Sequence, residues 1–557
     1  MIKKISLILI LCSAVIITLL EIFAYRHNLL SSVLISRIWL VLTAHSLIFG
    51  SIYFFKIIGQ DLSSKNFWGI LSILFIVIVV SYNLENFPLF LSGETTQHLA
   101  ASLTNWKEPD LGFTRTIQLG FPSRQFLLLS LPSLIFGQSI ITERSMYLFI
   151  FVFGILMFYT GLRVYYRNKP QINQVSSLLI LAITSIPAVQ TLYRIFDIPI
   201  LPMSFFFISI GLFTISQVYK SVWAITAFTW SLTMLATTYT PGISAWIFMT
   251  GITFMLILKN LFKSKDYYFT YLLSICLLVS ITIGLNALFF RSDIRINDTD
   301  MPTNQENISK VISTYEYVFV KNFDMWGIQM PFLGYVMFVP VVLYLVGGIL
   351  GIWGIPHFIF SIWVLTTITI AGLSKGYSNP SPLWAVYRQP VILPVILTGL
   401  ADVVIQKKIT IPNKILYLLF IILIGYSLYI SANLIESWNI NSTSDLRLPV
   451  LRDALKTARK YSINPRSPIQ LVTYAQNPEL KFMPDHLLYF FPNAQYDVPE
   501  NSCLNNFDLR KNALIYTNNN SCFQYLQQKG LFQFENFYIK VYNQNHQFIK
   551  AIYIPGQ

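Results

Sequence analysis

The chain has 557 residues, of which 54% are hydrophobic and only 11% charged. A soluble globular chain carries roughly 25% charged residues, and here the apolar residues recur in runs near the ~20-residue length that crosses a bilayer. Those two facts exclude a soluble fold and predict a polytopic α-helical membrane protein. The net charge of +14 does not point to nucleic acid. Its basic residues stand in short clusters beside apolar runs, as in Arg163, Arg167 and Lys169, in Lys259, Lys263 and Lys265, and in Lys407 and Lys408. Cytoplasmic loops have that composition under the positive-inside rule.

Lys3 and Lys4 precede an apolar run over 6–23, the charge layout of a signal peptide. The run is too long for such a segment and no small-residue cleavage site follows, so it reads as an uncleaved first span. Further spans are predicted at 38–55 and 67–82, and with the lysines inside, the third ends on the outer side. These three form an N-terminal unit over 1–82, and 83–142 is then the first large extracytoplasmic loop. Within that loop 126–137 is apolar, but it is short and interrupted by Pro132. Counting it as a span would place Arg163, Arg167 and Lys169 outside, so it reads as a helix lying along the membrane.

The transmembrane core occupies 143–436, with spans expected at 146–165, 175–192, 198–215, 222–239, 243–258, 269–290, 330–349, 352–371, 391–405 and 415–434. A polar segment at 291–329 falls outside, as does 373–389, while Lys407, Lys408 and Lys414 fall inside. The joint around Leu350 and Gly351 has no charge to orient it. About thirteen spans result by the length criterion. The remainder, 437–557, is polar, lies outside and reads as a small α/β domain. It has a helical pattern over 447–461, strands at 469–474, 513–517 and 537–542, and a closing hairpin of 537–541 with 548–553 around Asn543-Gln544-Asn545.

Of the four cysteines, Cys12 and Cys276 lie within spans and read as small apolar fillers. Cys503 and Cys522 lie in the tail, in a compartment that permits oxidation. A bond between them would stabilise the tail by ~3 kcal/mol on a loop-closure basis. Two free thiols are the alternative, and thiol labelling with and without reductant separates them.

Motifs of soluble enzymes are absent. There is no phosphate-binding P-loop, no dinucleotide glycine fingerprint, no HExxH and no GxSxG. His45 and His357 fall within spans and read as packed or hydrogen-bonded groups. Glu108 and Asp110 are the acids that a divalent cation would use, but two loop acids alone do not define a site. A transferase acting at the outer face has no cytosolic nucleotide to draw on, and so needs a lipid-borne donor.

The loop and the spans that follow carry an ordered set of short motifs. They are Gly93-Glu94-Thr95-Thr96-Gln97-His98-Leu99, then Phe121-Pro122-Ser123-Arg124-Gln125-Phe126-Leu127-Leu128-Leu129, then Phe136-Gly137 followed by Glu143-Arg144-Ser145. Tyr193-Arg194-Ile195-Phe196-Asp197 and Tyr387-Arg388-Gln389-Pro390 with Pro394 come later. Their order and placement resemble the GT-C superfamily of membrane glycosyltransferases. The likeness is to bacterial relatives of protein O-mannosyltransferases and the lipid A aminoarabinose transferase, and it covers roughly 92–400. Thr95 stands where the family often has a second acid, and one proline of its Pro-Pro-Leu segment is lost.

The resemblance implies inverting transfer of a sugar from a polyprenyl-phosphate donor to a lipid, glycan or protein acceptor. It also implies a bacterial inner membrane with the site and tail extracytoplasmic. Physical chemistry supports the same roles. The acceptor hydroxyl must lose a proton as it attacks, and Glu94 is the candidate base. The leaving group is a lipid phosphate, which arginine suits through its permanent charge and planar fork of donors. Arg144, Arg194 and Arg388 sit at outer span ends, with Arg124 and Lys375 behind them as further candidates. Each arginine has a structural alternative, snorkelling to headgroups or pairing with Glu143 or Asp197. Tyr315, Tyr317, Phe319, Phe323 and Trp326 of the second polar segment suit either a sugar or lipid ligand or an interfacial belt. Two other functions are to be weighed, an O-antigen ligase or polymerase and a transporter or flippase of lipid-linked glycans. The first predicts essential polar residues in a late loop. The second predicts ionisable residues near span centres and an internal repeat.

Overall fold

The computed structural model describes residues 32–63, 67–82, 84, 123–137, 139–169, 171–195, 200–238, 240–263, 267–289, 304–325, 328–373, 389–407 and 411–441, together with five strands of the tail. At some helix ends, Arg124 and Glu143 among them, only the backbone is described. The first expected span, Glu94, Arg388, Lys375, Glu108, Asp110, Cys503, Cys522 and the helix expected at 447–461 lie outside these residues.

In chain order the helices are α1 (Ser32–Ser63), α2 (Phe67–Ser81), α3 (Ser123–Phe136), α4 (Ile140–Tyr165), α5 (Ile172–Thr184), α6 (Pro187–Ile195), α7 (Ile200–Tyr219), α8 (Val222–Ala236), α9 (Thr240–Lys263), α10 (Tyr267–Phe289) and α11 (Asn304–Phe319). A short antiparallel hairpin, β1 (Asn322–Met325) and β2 (Ile328–Pro331), precedes α12 (Gly334–Ile349) and α13 (Ile355–Leu373). A 3-10 turn at Gln389–Ile392 opens α14 (Leu393–Gln406), and α15 (Asn413–Asn441) follows. Among the described residues 8 helices are long and apolar enough to cross a membrane, or up to 9 if the bent pair α5 and α6 is one span. Three shorter apolar helices, α2, α8 and α12, fall on further expected spans. The chain is a polytopic helical membrane protein.

Two expectations are refined. The span expected at 175–192 is broken into α5 and α6, bent by 65°. Pro187 is the cause, since it has no N–H to donate and its ring collides with the carbonyl one turn earlier. The apolar stretch at 126–137 is the 14-residue α3 with Pro132 inside it, and it is not among the candidate spans.

α7 is the centre of the bundle. It is apolar on every face and buried along most of its length, as a helix with no solvent or lipid face should be. It lies against α4 at a small-residue seam. A Cβ on Gly154 would stand 2.8 Å from the Ser204 carbonyl oxygen, and one on Gly161 2.7 Å from the Gly211 Cα. The pairs rise together along both helices, so α4 and α7 run parallel. Close backbone approach through small residues is how helices associate where lipid supplies no hydrophobic drive. A Gly211→Leu substitution is expected to lower stability by ~1–3 kcal/mol through overpacking, read as an earlier melting transition in detergent.

Aromatic rings tie the outer helices to this centre. Phe248 of α9 packs tilted against Trp363 of α13 at 4.6 Å, and Phe206 of α7 meets both edge-on, at 6.1 and 5.8 Å. Trp246 of α9 lies over Gly284 of α10 and donates to the Ser280 hydroxyl at 2.8 Å. Tyr315 donates to the Leu365 carbonyl at 2.7 Å and so docks α11 on α13. Cys276 is a buried free thiol in α10, and His45 lies against the rings of Phe49 and Trp223.

The tail holds a five-stranded mixed sheet in the order β4-β3-β5-β7-β6, where β3 is Gln470–Tyr474, β4 Gln495–Asp497, β5 Ala513–Thr517, β6 Gln533–Tyr538 and β7 Phe548–Ile554. β3 pairs in parallel with β4 and β5, while β7 is antiparallel to β5 and β6. The parallel pairs require crossover connections. The strand expected at 537–542 is described at Gln533–Tyr538, in a register that sets Phe534 opposite Ile552 and Tyr538 opposite Phe548. β4 is too short and too polar to announce itself.

Candidate functional site

α2 ends just before the connection that carries Glu94. The last carbonyls of any helix lack intrahelical partners and bear its negative dipole end. One arginine bonds a carbonyl of that last turn here, and a second holds the chain three residues beyond it. Arg194, in the last turn of α6, donates from Nη2 to the Val79 carbonyl at 3.0 Å. Arg144, near the start of α4, donates from Nη1 to the Leu84 carbonyl at 2.8 Å.

Local structure delivers both side chains. Gly137, at φ 85°, terminates α3 in the left-handed conformation that glycine tolerates. Ser139 then caps α4, its hydroxyl accepting from the Thr142 N–H at 3.1 Å while Thr142 accepts from the Ser139 N–H at 2.9 Å. This capping box sets Arg144 one turn inside the helix. The sequence motif of Phe136-Gly137 followed by Glu143-Arg144-Ser145 is thus a helix stop, a cap and a buried cation. Arg194 is brought in by the break at Pro187, and its guanidinium lies 5.4 Å from the centre of the Tyr193 ring, which itself stacks on Phe151.

Burial removes one structural reading of these arginines, snorkelling. Arg144 is 1% and Arg194 2% exposed, so neither snorkels to lipid headgroups. Both are held inside the bundle, from different helices, at one end of α2. Arg388 directly precedes the buried 3-10 turn Gln389–Ile392, and Arg124 stands in the first turn of α3.

The sequence reading missed the polar groups at the opposite end of α4. Asp61 of α1 pairs with Arg163 of α4, and Tyr159 donates to the same carboxylate at 2.6 Å. Asp402 of α14 accepts from Tyr166 and from Gln406 at 2.7 Å, and lies 3.1 Å from His357 Nε2 of α13. The i, i+4 spacing of Tyr159 and Arg163 was a legible signal, but a partner on α1 was not. Among the described residues no group of three metal-ligating side chains is present.

The fold and these two polar ends define a polytopic helical membrane protein with a cationic, buried site at one end of its bundle. No family model and no curated protein sequence matches the chain. Among solved structures it is similar to ArnT from Cupriavidus metallidurans bound to undecaprenyl phosphate, at 11% identity and a TM-score of 0.46, over 87% of this chain and 98% of that one. A likeness at this level carries no inference about chemistry, which rests on the residues themselves.

Proposed function

We propose that the chain is a GT-C-type glycosyltransferase that moves a sugar from a polyprenyl-phosphate donor to an acceptor at the outer face of the bacterial inner membrane, with inversion. Glu94 is the base that takes the acceptor proton. Arg144, Arg194 and Arg388, with Arg124 and Lys375 behind them, hold the phosphate and stabilise the charge that develops as it leaves. The tail lies on the same side. The observation that carries this reading is that Arg194 bonds the last turn of α2 and Arg144 the Leu84 carbonyl just beyond it, where the chain departs toward Glu94. Permanent cations in a dry site act on a leaving phosphate far more strongly than the same groups would in water.

The test is titration of the purified protein with undecaprenyl phosphate. A charge-assisted hydrogen bond contributes ~1.5–3 kcal/mol, so R144A and R194A are each expected to weaken binding by about ten- to a hundredfold. Unaltered affinity in both variants, with the protein still folded, overturns the phosphate role.

A further inference from the structure

The break between α5 and α6 leaves the carbonyl of Thr184 without a helical successor, deep in the bundle. Gln190, one turn into α6, donates to it from Nε2 and also to the carbonyl and hydroxyl of Ser427 on α15, at 3.0 and 2.9 Å. Ser427 donates to the same Thr184 carbonyl at 3.0 Å. On its other side Gln190 accepts from Ser431 at 2.7 Å. Both ends of one buried amide are therefore used, and they staple the bend to the last span. The other wall of the break comes from the turn into α12. Ala188 donates to the Phe332 carbonyl at 3.4 Å, and Tyr426 of α15 accepts from the Tyr335 N–H at 3.0 Å. Gly334, at φ 69°, lets that turn pass, since a Cβ there would stand 2.8 Å from Pro187 Cδ.

A bend caused by proline alone is a loose joint, because a lost helical hydrogen bond fixes no angle. The staple supplies the angle. Gln190 and Arg194 are four residues apart on the nine-residue α6, hence on one face, so whatever tilts Gln190 tilts Arg194 with it. We infer that Gln190, with Ser427 and Ser431, is the positioning element that sets the angle of α6, holds Arg194 against the end of α2 and couples it to α15, the helix that leads to the tail. This rests on the phosphate role of Arg194 proposed above.

Two readouts separate the inference from that reading. In Q190L, hydrogen exchange of the peptide covering 187–195 is expected to rise about tenfold, as lost buried hydrogen bonds loosen a local unit. Undecaprenyl phosphate binding is expected to weaken about tenfold in the wild-type background but less than about twofold in an R194A background, the non-additivity of residues acting through one another. Q190N, which keeps the amide donor and acceptor on a shorter stem, should recover part of both. If Q190L does not fold, S427A and S431A carry the same comparison. Unchanged exchange in α6 overturns the inference whatever binding does. An equal loss of binding in both backgrounds also overturns it, because Gln190 then acts apart from Arg194. If α6 loosens while R194A binds like wild type, the phosphate role fails and the proposed coupling fails with it.

Discussion

Replacement of Glu94 by Gln is expected to abolish sugar transfer while leaving the protein folded and able to bind undecaprenyl phosphate. The amide matches the carboxylate in size but cannot take a proton from the acceptor hydroxyl. General-base catalysis by a positioned side chain contributes typically ~10²–10⁴-fold, and the next residue in the chain is Thr95 and not a second acid. The measurement is transfer of labelled sugar in membranes carrying either form, with the melting transition and lipid titration as controls. Near-normal turnover in E94Q would rule out the base role. Loss of turnover together with loss of lipid binding would place Glu94 in the architecture of the site instead. A comparison of envelope glycans by mass spectrometry, with and without the gene, would then identify the sugar and the acceptor.

Periodicity and charge made most of the bundle legible. Runs of apolar residues near bilayer length locate the helices because lipid forces each span to satisfy its own backbone. The break at Pro187 was not read, the span being expected to run unbroken through 175–192, and its angle is set by Ser427 and Ser431 on a helix remote in sequence. The same holds for Arg144 and Arg194. Their placement near span ends could be read from the chain, but a backbone carbonyl is among the partners of each, which every residue carries and no motif marks. Asp61 was missed for a related reason. Its countercharge arrives on α4, and only packing brings the two together. Among the described residues, Asp61, Arg163, His357 and Asp402 stand near helix ends and not at span centres. That placement gives no support to a transport pathway through the bundle.

The buried pair of Asp61 and Arg163 carries the largest expected effect on stability. Arg163 is 8% exposed and Asp61 is fully buried, so R163M removes the countercharge of a carboxylate that water does not reach. Breaking such a pair from one side typically costs ~3–5 kcal/mol, whereas replacing both partners by apolar residues of similar volume is often neutral or stabilising. R163M is therefore expected to lower expression and melting temperature sharply, and D61L/R163M to recover most of the loss, in thermal scans of purified protein. Tyr159 shapes the residual, because its hydroxyl donates to Asp61 and would be left buried without an acceptor in the double variant. Adding Y159F should then complete the recovery. Arg144 and Arg163 both lie on α4, and at about 1.5 Å per residue their separation in sequence sets the pair roughly 28 Å from Arg144. Undecaprenyl phosphate binding per folded molecule should accordingly be unchanged in D61L/R163M. A double variant as unstable as R163M would mean that the pair itself, and not merely its charge balance, holds α1 against α4.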